Sequence, residues 1–214
     1  SVDVLGRALR QATSPPSVWV QASAIGIYGD RGEELLSETS PVSTAEDFLV
    51  DTCTKWEAAA AEACPENVSL RQVRFGLVLG KDGGAFPPLL TWAKRGLGGA
   101  LGSGNQYWSW IHLRDAAGMV LWLTDADARP NLVNAVSPNP LRQGAFMAAV
   151  RKELGKPWAP PLPSPMLKLA AYFGAPAPEL VLTSQRIEPR AALANGFSYA
   201  FPDLESALRD LLSP

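Results

Sequence analysis

Between residues 17 and 136, short β-prone apolar runs alternate with stretches of helical period, and that order rules out most folds. SVWVQASA (17–24), SLRQVRFGLVLG (69–80) and NLVNAV (131–136) read as buried strands. Between the first two lies a helix in which Phe48, Leu49, Thr52, Cys53, Trp56, Ala60 and Ala63 recur at steps of three and four, a face that should pack on a sheet. Ser43 with Glu46 has the spacing of a capping box for it. The helix AAGMVLWL (116–123), with Asp115 as its expected N-cap, precedes the third strand. Strands that alternate with crossover helices form a parallel sheet, so the fold expected is α/β.

The remaining patterns extend this plan. A helix over Val2–Gln11, spaced by Val4, Leu5, Ala8 and Leu9, feeds the first strand, and a helix from about Ala85 to Arg95 follows the second. The glycine run GLGGALGSG (96–104) reads as a mobile loop at a domain edge, and QYWSWIH (106–112) alternates like a single strand. From Pro138 the texture changes. A helix LRQGAFMAAVRKEL closed by Gly155, a proline-rich WAPPLPSP, a helix MLKLAAYF, a turn GAPAP and the segment ELVLTSQRIEP come in turn. A short strand GFSYAF and a last helix with Leu204, Leu208 and Leu211 complete the chain. The expected organisation is therefore residues 1–137 as strands and helices of a nucleotide-binding sheet, with 138–214 as a smaller α+β part folded over one end of it.

Composition narrows the function classes. With 19 basic and 21 acidic residues the net charge is −2, which leaves no electrostatic footprint for nucleic acid or an anionic membrane. No apolar run approaches the ~18 residues of a membrane span, and SVDVLGRALRQ lacks the apolar middle of a signal peptide, so the expectation is a soluble, cytoplasmic protein. Cys53 and Cys64 fall in one helix and so stand ~16 Å apart, too far for a disulfide. With one histidine, His112, beside two separated thiols, a zinc site is not expected. His112 itself reads as a structural histidine.

A dinucleotide fold normally shows a glycine-rich turn between its first strand and helix, because only glycine lets the backbone approach a pyrophosphate at the helix N-terminus. The 214 residues contain none: the run at 96–104 follows a helix and does not fit G-x-G-x-x-G. Five stretches nevertheless match a known family in order: SAIGIYGDRGE, FLVDTCTKWEAAA, VRFGLVLGKDGGAF, GLGGALGSGNQYWSWIHLRDAAG and SQRIEPRAALANGFSYAFPDLESAL. On them the chain resembles an atypical extended short-chain dehydrogenase/reductase, of the epimerase family branch in the NAD-dependent epimerase/dehydratase superfamily. The resemblance implies the later part of a Rossmann-like doubly wound parallel sheet and NADP as cofactor. It further implies a G-x-x-G-x-x-G turn within about eighty to ninety residues preceding those seen here. The expected partners are a small-molecule substrate, that preceding segment, or a homodimer mate.

The resemblance also distributes roles. Ala22, Ser23, Arg74, Phe75, Gly76, Leu77 and Val78 would border the cofactor at the carboxyl edge of the strands. The superfamily's hydroxyl four residues before the tyrosine of the YG pair falls on Ala24, with Ser23 one place earlier. Ser23 is then either a site hydroxyl or a strand-end residue bonded to backbone. The superfamily's tyrosine and lysine, in which the cation prepares the phenol to exchange a proton, fall on Leu49 and Cys53 when counted back from Glu57. Neither replaces the pair, a buried thiol without a cation beside it being inert. Lys55 lies too far round the helix to stand in. Tyr28 is the phenol left near the loop, as a catalytic or substrate contact or as a strut of the turn. Gln106, Trp108 and Trp110 would meet the substrate, Trp108 standing where nucleotide-sugar enzymes carry a diphosphate-binding arginine. An aromatic wall there suits a flatter or more apolar substrate, unless these side chains are simply core. The readings that follow are an NADP(H)-dependent oxidoreductase or epimerase acting on a small carbonyl or hydroxyl compound, a non-catalytic NADP(H)-binding or sensing protein, and an inactive fragment.

Overall fold

The computed structural model describes residues 2–125, 129–156, 158–167 and 181–213. Strands β1 (Val18–Ala24), β3 (Ser69–Phe75) and β7 (Leu132–Ala135) form a parallel sheet in the order β1-β3-β7, with Ser23 opposite Arg74 and Arg74 opposite Asn134. Helices α1 (Val2–Gln11) and α2 (Phe48–Ala63) cover one face, where Trp19, Ala63, Val68 and Leu9 pack together. Helix α4 (Leu113–Thr124) covers the other, its Ala116, Met119 and Leu123 closing over Val73, Val133 and Ala135. A sheet buried on both sides is why the strands read as near-continuous apolar runs, and the expected α/β, Rossmann-like doubly wound class is the one found. Among the described residues, β1 has a ladder partner on one side only, and Ala22 is exposed.

Several local expectations are corrected. The N-cap of α2 is Asp47, whose carboxylate accepts from the N–H groups of Leu49 and Val50. It stands directly before the first helical turn, where a negative charge meets both unpaired donors and the helix dipole, so it displaces the Ser43/Glu46 box. The buried stripe of α2 is Val50, Cys53, Ala60 and Ala63, while Phe48 is 79% and Trp56 48% exposed. Small residues let α2 lie close to the sheet and to α1, and the two aromatics have no room on that face.

The long strand expected over 69–80 breaks at Gly76 into β3 and β4 (Leu77–Leu79), because the chain passes very close to another segment: a Cβ there would sit 2.5 Å from the Ser109 carbonyl oxygen and 2.7 Å from Val136. QYWSWIH likewise breaks, at Ser109. Strand β5 (Tyr107–Trp108) runs antiparallel to β8 (Leu141–Arg142), and β6 (Trp110–His112) runs parallel to β4. The Ser109 hydroxyl donates to the Gln185 carbonyl (2.8 Å) and accepts from the Ile187 N–H (2.9 Å), fixing the later segment to the break. That segment supplies β9 (Arg186–Ile187), which pairs with β2 (Leu35–Leu36) beyond the end of β1. The helix over 116–123 begins earlier, at Leu113, with His112 as N-cap instead of Asp115.

The glycine run is a packed element, not a free loop. The Leu162 N–H donates to the Ala100 carbonyl (2.8 Å), the Gly102 N–H donates to the Leu162 carbonyl (2.9 Å), and a Cβ on Gly99 would collide with the Pro160 carbonyl. Gly99 in particular serves the close approach of two backbones.

Helices α3 (Phe86–Lys94), α5 (Gln143–Glu153) and α7 (Leu204–Leu212) share one core with β5 and β6: Phe86, Trp108, Trp110, Phe146, Val150, Leu204 and Leu208. The boundary at Pro138 is thus bridged by a single apolar cluster. GFSYAF makes no strand; the N–H groups of Ala200 and Phe201 donate to the two oxygens of Asp115 (2.8 and 2.9 Å), which takes the place of a ladder partner. The short helix α6 (Arg190–Ala194) precedes it. Most of the expected helix MLKLAAYF and the turn GAPAP lie outside the described residues. Among the described residues no helix is long and apolar enough to cross a membrane.

Candidate functional site

In a parallel sheet with helices on both faces the ligand crevice lies outside the carboxyl ends of the strands. Here that edge is formed by Ala22–Ala24, the 3-10 turn Ile25–Tyr28 that follows β1, and residues 75–78 after β3. Strand parity places Ser23 on the α2 side, beside Arg74. Ser23 is 4% exposed and its Oγ has no hydrogen-bond partner. A buried hydroxyl left unpaired costs about 1–3 kcal/mol, which a ligand group would recover. The alternative role, a bond to its own backbone, is not made. Phe75, Leu77 and Val78 are half-buried at the same edge, whereas Gly76 is accounted for by Ser109 and Val136.

The helix positions to which the resemblance assigns the acid/base pair do come to this turn. A Cβ on Gly26 would lie 3.2 Å from Leu49 Cβ and 3.8 Å from Cys53 Sγ. These two side chains carry no acid/base chemistry. Cys53 is 2% exposed, and burial holds its thiol above the usual range despite nearby backbone donors and Arg74. It is a packed small side chain and a free thiol, as is Cys64.

Tyr28 does not face the crevice. It is fully buried, its hydroxyl donates to Asn134 Oδ1 (3.0 Å) and accepts from Arg74 Nη1 (2.8 Å), and burial raises its pKa further than Arg74 and Asn134 lower it. A phenol with both hydrogen-bonding directions occupied and no solvent contact suits the strut role among its two readings. The Arg74 side chain is committed to the same network. Its Nε and Nη2 donate to the two carboxylate oxygens of Glu57, each at 2.8 Å, with the side chains 6% and 12% exposed. Burial alone would lower the Arg74 pKa; Glu57 and Tyr28 outweigh it and keep the guanidinium charged. The network continues through Asn134, whose backbone N–H donates to Glu38 Oε1, while Glu38 Oε2 accepts from Ala191 N–H at the start of α6. Glu57 was legible as a neighbour of Cys53, one turn along the same helix face; Asn134 and Glu38 had no such signal.

The three residues expected to touch substrate are structural as well. Gln106 Nε2 donates to the carbonyls of Leu101 and Val181, Trp108 Nε1 to Val181 and Trp110 Nε1 to Asn139. Each polar handle pins the loop-rich C-terminal part, and the rings fill the core.

His112 is structural, as expected. Its Nδ1 accepts from Arg114 N–H (3.0 Å), so neutral imidazole presents Nε2–H to Asp210 on α7 (3.2 Å), and Phe201 stacks on the ring. Burial lowers its pKa more than Asp210 and Asp115 raise it. A folded-state value below the unfolded ~6.5 means that the unfolded chain binds more protons, so stability is lost as pH falls below ~6.5. Urea midpoints measured from pH 7.5 to 5 should fall more for the wild type than for His112→Gln.

Comparisons with known proteins bear on the family and the fold. Residues 162–211 match the family described as Domain of unknown function (DUF1731). The bovine epimerase family protein SDR39U1 is 37% identical over 216 residues, spanning 100% of this chain and 71% of that protein. The crystal structure of human epimerase family protein SDR39U1 (isoform 2) with NADPH superposes with a TM-score of 0.88 at 34% identity, covering 98% of this chain and 70% of that one. A nucleoside-diphosphate sugar epimerase from Corynebacterium glutamicum gives 0.75 at 28% identity, over 99% of this chain and 40% of that one. Fold and similarity together define a Rossmann-like protein of the NAD-dependent epimerase/dehydratase superfamily. Within it, the chain belongs to the epimerase family of SDR39U1 proteins.

Proposed function

We propose that this protein binds NADP(H) and acts as an oxidoreductase or epimerase on a small carbonyl or hydroxyl compound, with Ser23 as the hydrogen-bonding residue of the site. The observation that carries the reading is the unpaired, buried Ser23 hydroxyl at the carboxyl end of β1. The NADPH in the human relative supports the choice of cofactor.

The residues present fit the nicotinamide end of such a cofactor: the Ser23 hydroxyl and the half-buried Phe75, Leu77 and Val78. Bound there, the cofactor would supply hydride transfer. Ser23 would hold a carbonyl or alcohol oxygen, or the carboxamide, by one hydrogen bond. Leu49 and Cys53 would exclude water from one side without moving a proton. That absence predicts slow turnover, since a positioned acid/base group contributes about 10²–10⁴-fold.

The empty acid/base positions favour a second reading, binding or sensing without turnover. The two separate when the full-length protein with NADPH is screened against carbonyl compounds by loss of reduced-nicotinamide absorbance. Slow oxidation that Ser23→Ala lowers tenfold or more supports the enzyme. Saturable NADPH binding with no oxidation across the panel supports the sensor.

A further inference from the structure

A second cluster lies one loop away from Ser23 and belongs to none of the roles above. The Tyr107 ring carries the Arg142 guanidinium 4.8 Å from its centroid and that of Arg186 at 5.1 Å. The two cations are therefore no more than about 10 Å apart, however they sit about the ring. Three strands bring them together: Tyr107 pairs with Arg142 across β5 and β8, and the chain leading into β9 bonds to the other side of Tyr107, whose N–H donates to Ser184 Oγ (3.0 Å) and whose carbonyl accepts from Gln185 N–H (3.0 Å). All three side chains stand on paired backbone.

Its position is at the rim of the crevice. The loop that continues from the turn at Tyr28 is held to the same segment: Arg31 N–H donates to the Ser184 carbonyl, Ser184 Oγ to the Gly32 carbonyl, and Gln185 Nε2 to the carbonyls of Ile25 and Gly29. The charges are unevenly answered. Arg142 donates to the Asn105 carbonyl and to Glu33, an exposed pair at 2.8 Å, whereas no acidic group among the described residues pairs with Arg186. A guanidinium over a ring can offer its in-plane N–H fork to a planar or tetrahedral oxyanion; Arg186 is the member with no carboxylate on it, while Arg142 Nη1 and Nη2 are held by Asn105 and Glu33.

We propose that Tyr107, Arg142 and Arg186 form a shelf for an anionic oxygen group, phosphate or carboxylate, carried by the substrate, with Glu33 as the internal carboxylate it displaces from Arg142. The inference rests on the reading of the adjacent crevice as the reaction site, and names the substrate as an anion.

The test is calorimetric titration at low ionic strength with two probes, inorganic phosphate and glycerol 3-phosphate, on the full-length wild type, R186Q, R186K and E33Q. Both probes should bind the wild type, glycerol 3-phosphate at least as tightly. R186Q should weaken both tenfold or more, R186K less, and E33Q should tighten both a few-fold by removing the competing carboxylate, an effect that a purely structural Arg142–Glu33 pair would not give. Unchanged unfolding midpoints check the fold. Absence of binding, affinity unmoved by R186Q, or weakening by E33Q overturns the shelf, and tighter binding of free phosphate overturns its assignment to a substrate. NADPH titrated into R186Q should bind as in the wild type. If the wild type binds phosphate but not NADPH, the cofactor reading fails while the shelf stands.

Discussion

Arg74→Met should unfold at a much lower urea concentration than the wild type, with a loss of about 3–5 kcal/mol, the usual cost of leaving one member of a buried ion pair alone. The substitution strands the Glu57 carboxylate, 12% exposed, and removes the donor to the Tyr28 hydroxyl, which keeps only its bond to Asn134. Against a total stability of about 5–15 kcal/mol this is a large fraction. The companion double variant Arg74→Met/Glu57→Leu should lose far less than the two single losses added, because an apolar pair of similar volume needs no solvation. A loss below about 1 kcal/mol for Arg74→Met, at unchanged denaturant slope, would mean that the Glu57–Arg74–Tyr28–Asn134 network does not hold α2 to the sheet.

Trp110→Ala should cost a similar amount, about 3–5 kcal/mol, through the cavity it leaves among Leu79, Phe146 and the α7 leucines. The side chain is fully buried and its indole N–H is the donor to the Asn139 carbonyl, so Trp110→Phe should lose less, about 1–3 kcal/mol, mostly for the unanswered carbonyl. Thermal unfolding decides between core and pocket: a ring lining an open substrate site could be removed with little change in midpoint, and a ring sealing the core could not.

What the sequence could and could not convey follows from the range of each interaction. The three parallel strands and the helices between them were legible because period and apolarity are local properties, and every helix expected within the described residues is present, some with shifted ends. Breaks at Gly76 and Ser109 were not legible. Both exist because distant segments meet there, Ser109 and Val136 against Gly76, and Gln185 and Ile187 against Ser109. The same limit governs the site. Strand parity and the YG pair pointed to this turn, and counting back from Glu57 picked out Leu49 and Cys53, which the fold brings against it. Nothing local announced that Tyr28 and Arg74 would spend their polar atoms on each other and on residues 17 to 106 positions away. Trp108 and Trp110 show the same ambiguity: alternate aromatics fit a pocket wall and a core equally well until the neighbours of the ring are known.

The central claim is that the carboxyl end of β1, with its unanswered Ser23 hydroxyl, receives the nicotinamide end of NADPH. Equilibrium titration of NADPH into the full-length wild type and Ser23→Ala, followed by nicotinamide fluorescence, tests it most directly. Saturable binding that Ser23→Ala weakens by about two- to tenfold, the worth of one hydrogen bond, is the result predicted. Binding of equal strength in both, or none by the folded wild type, would contradict it.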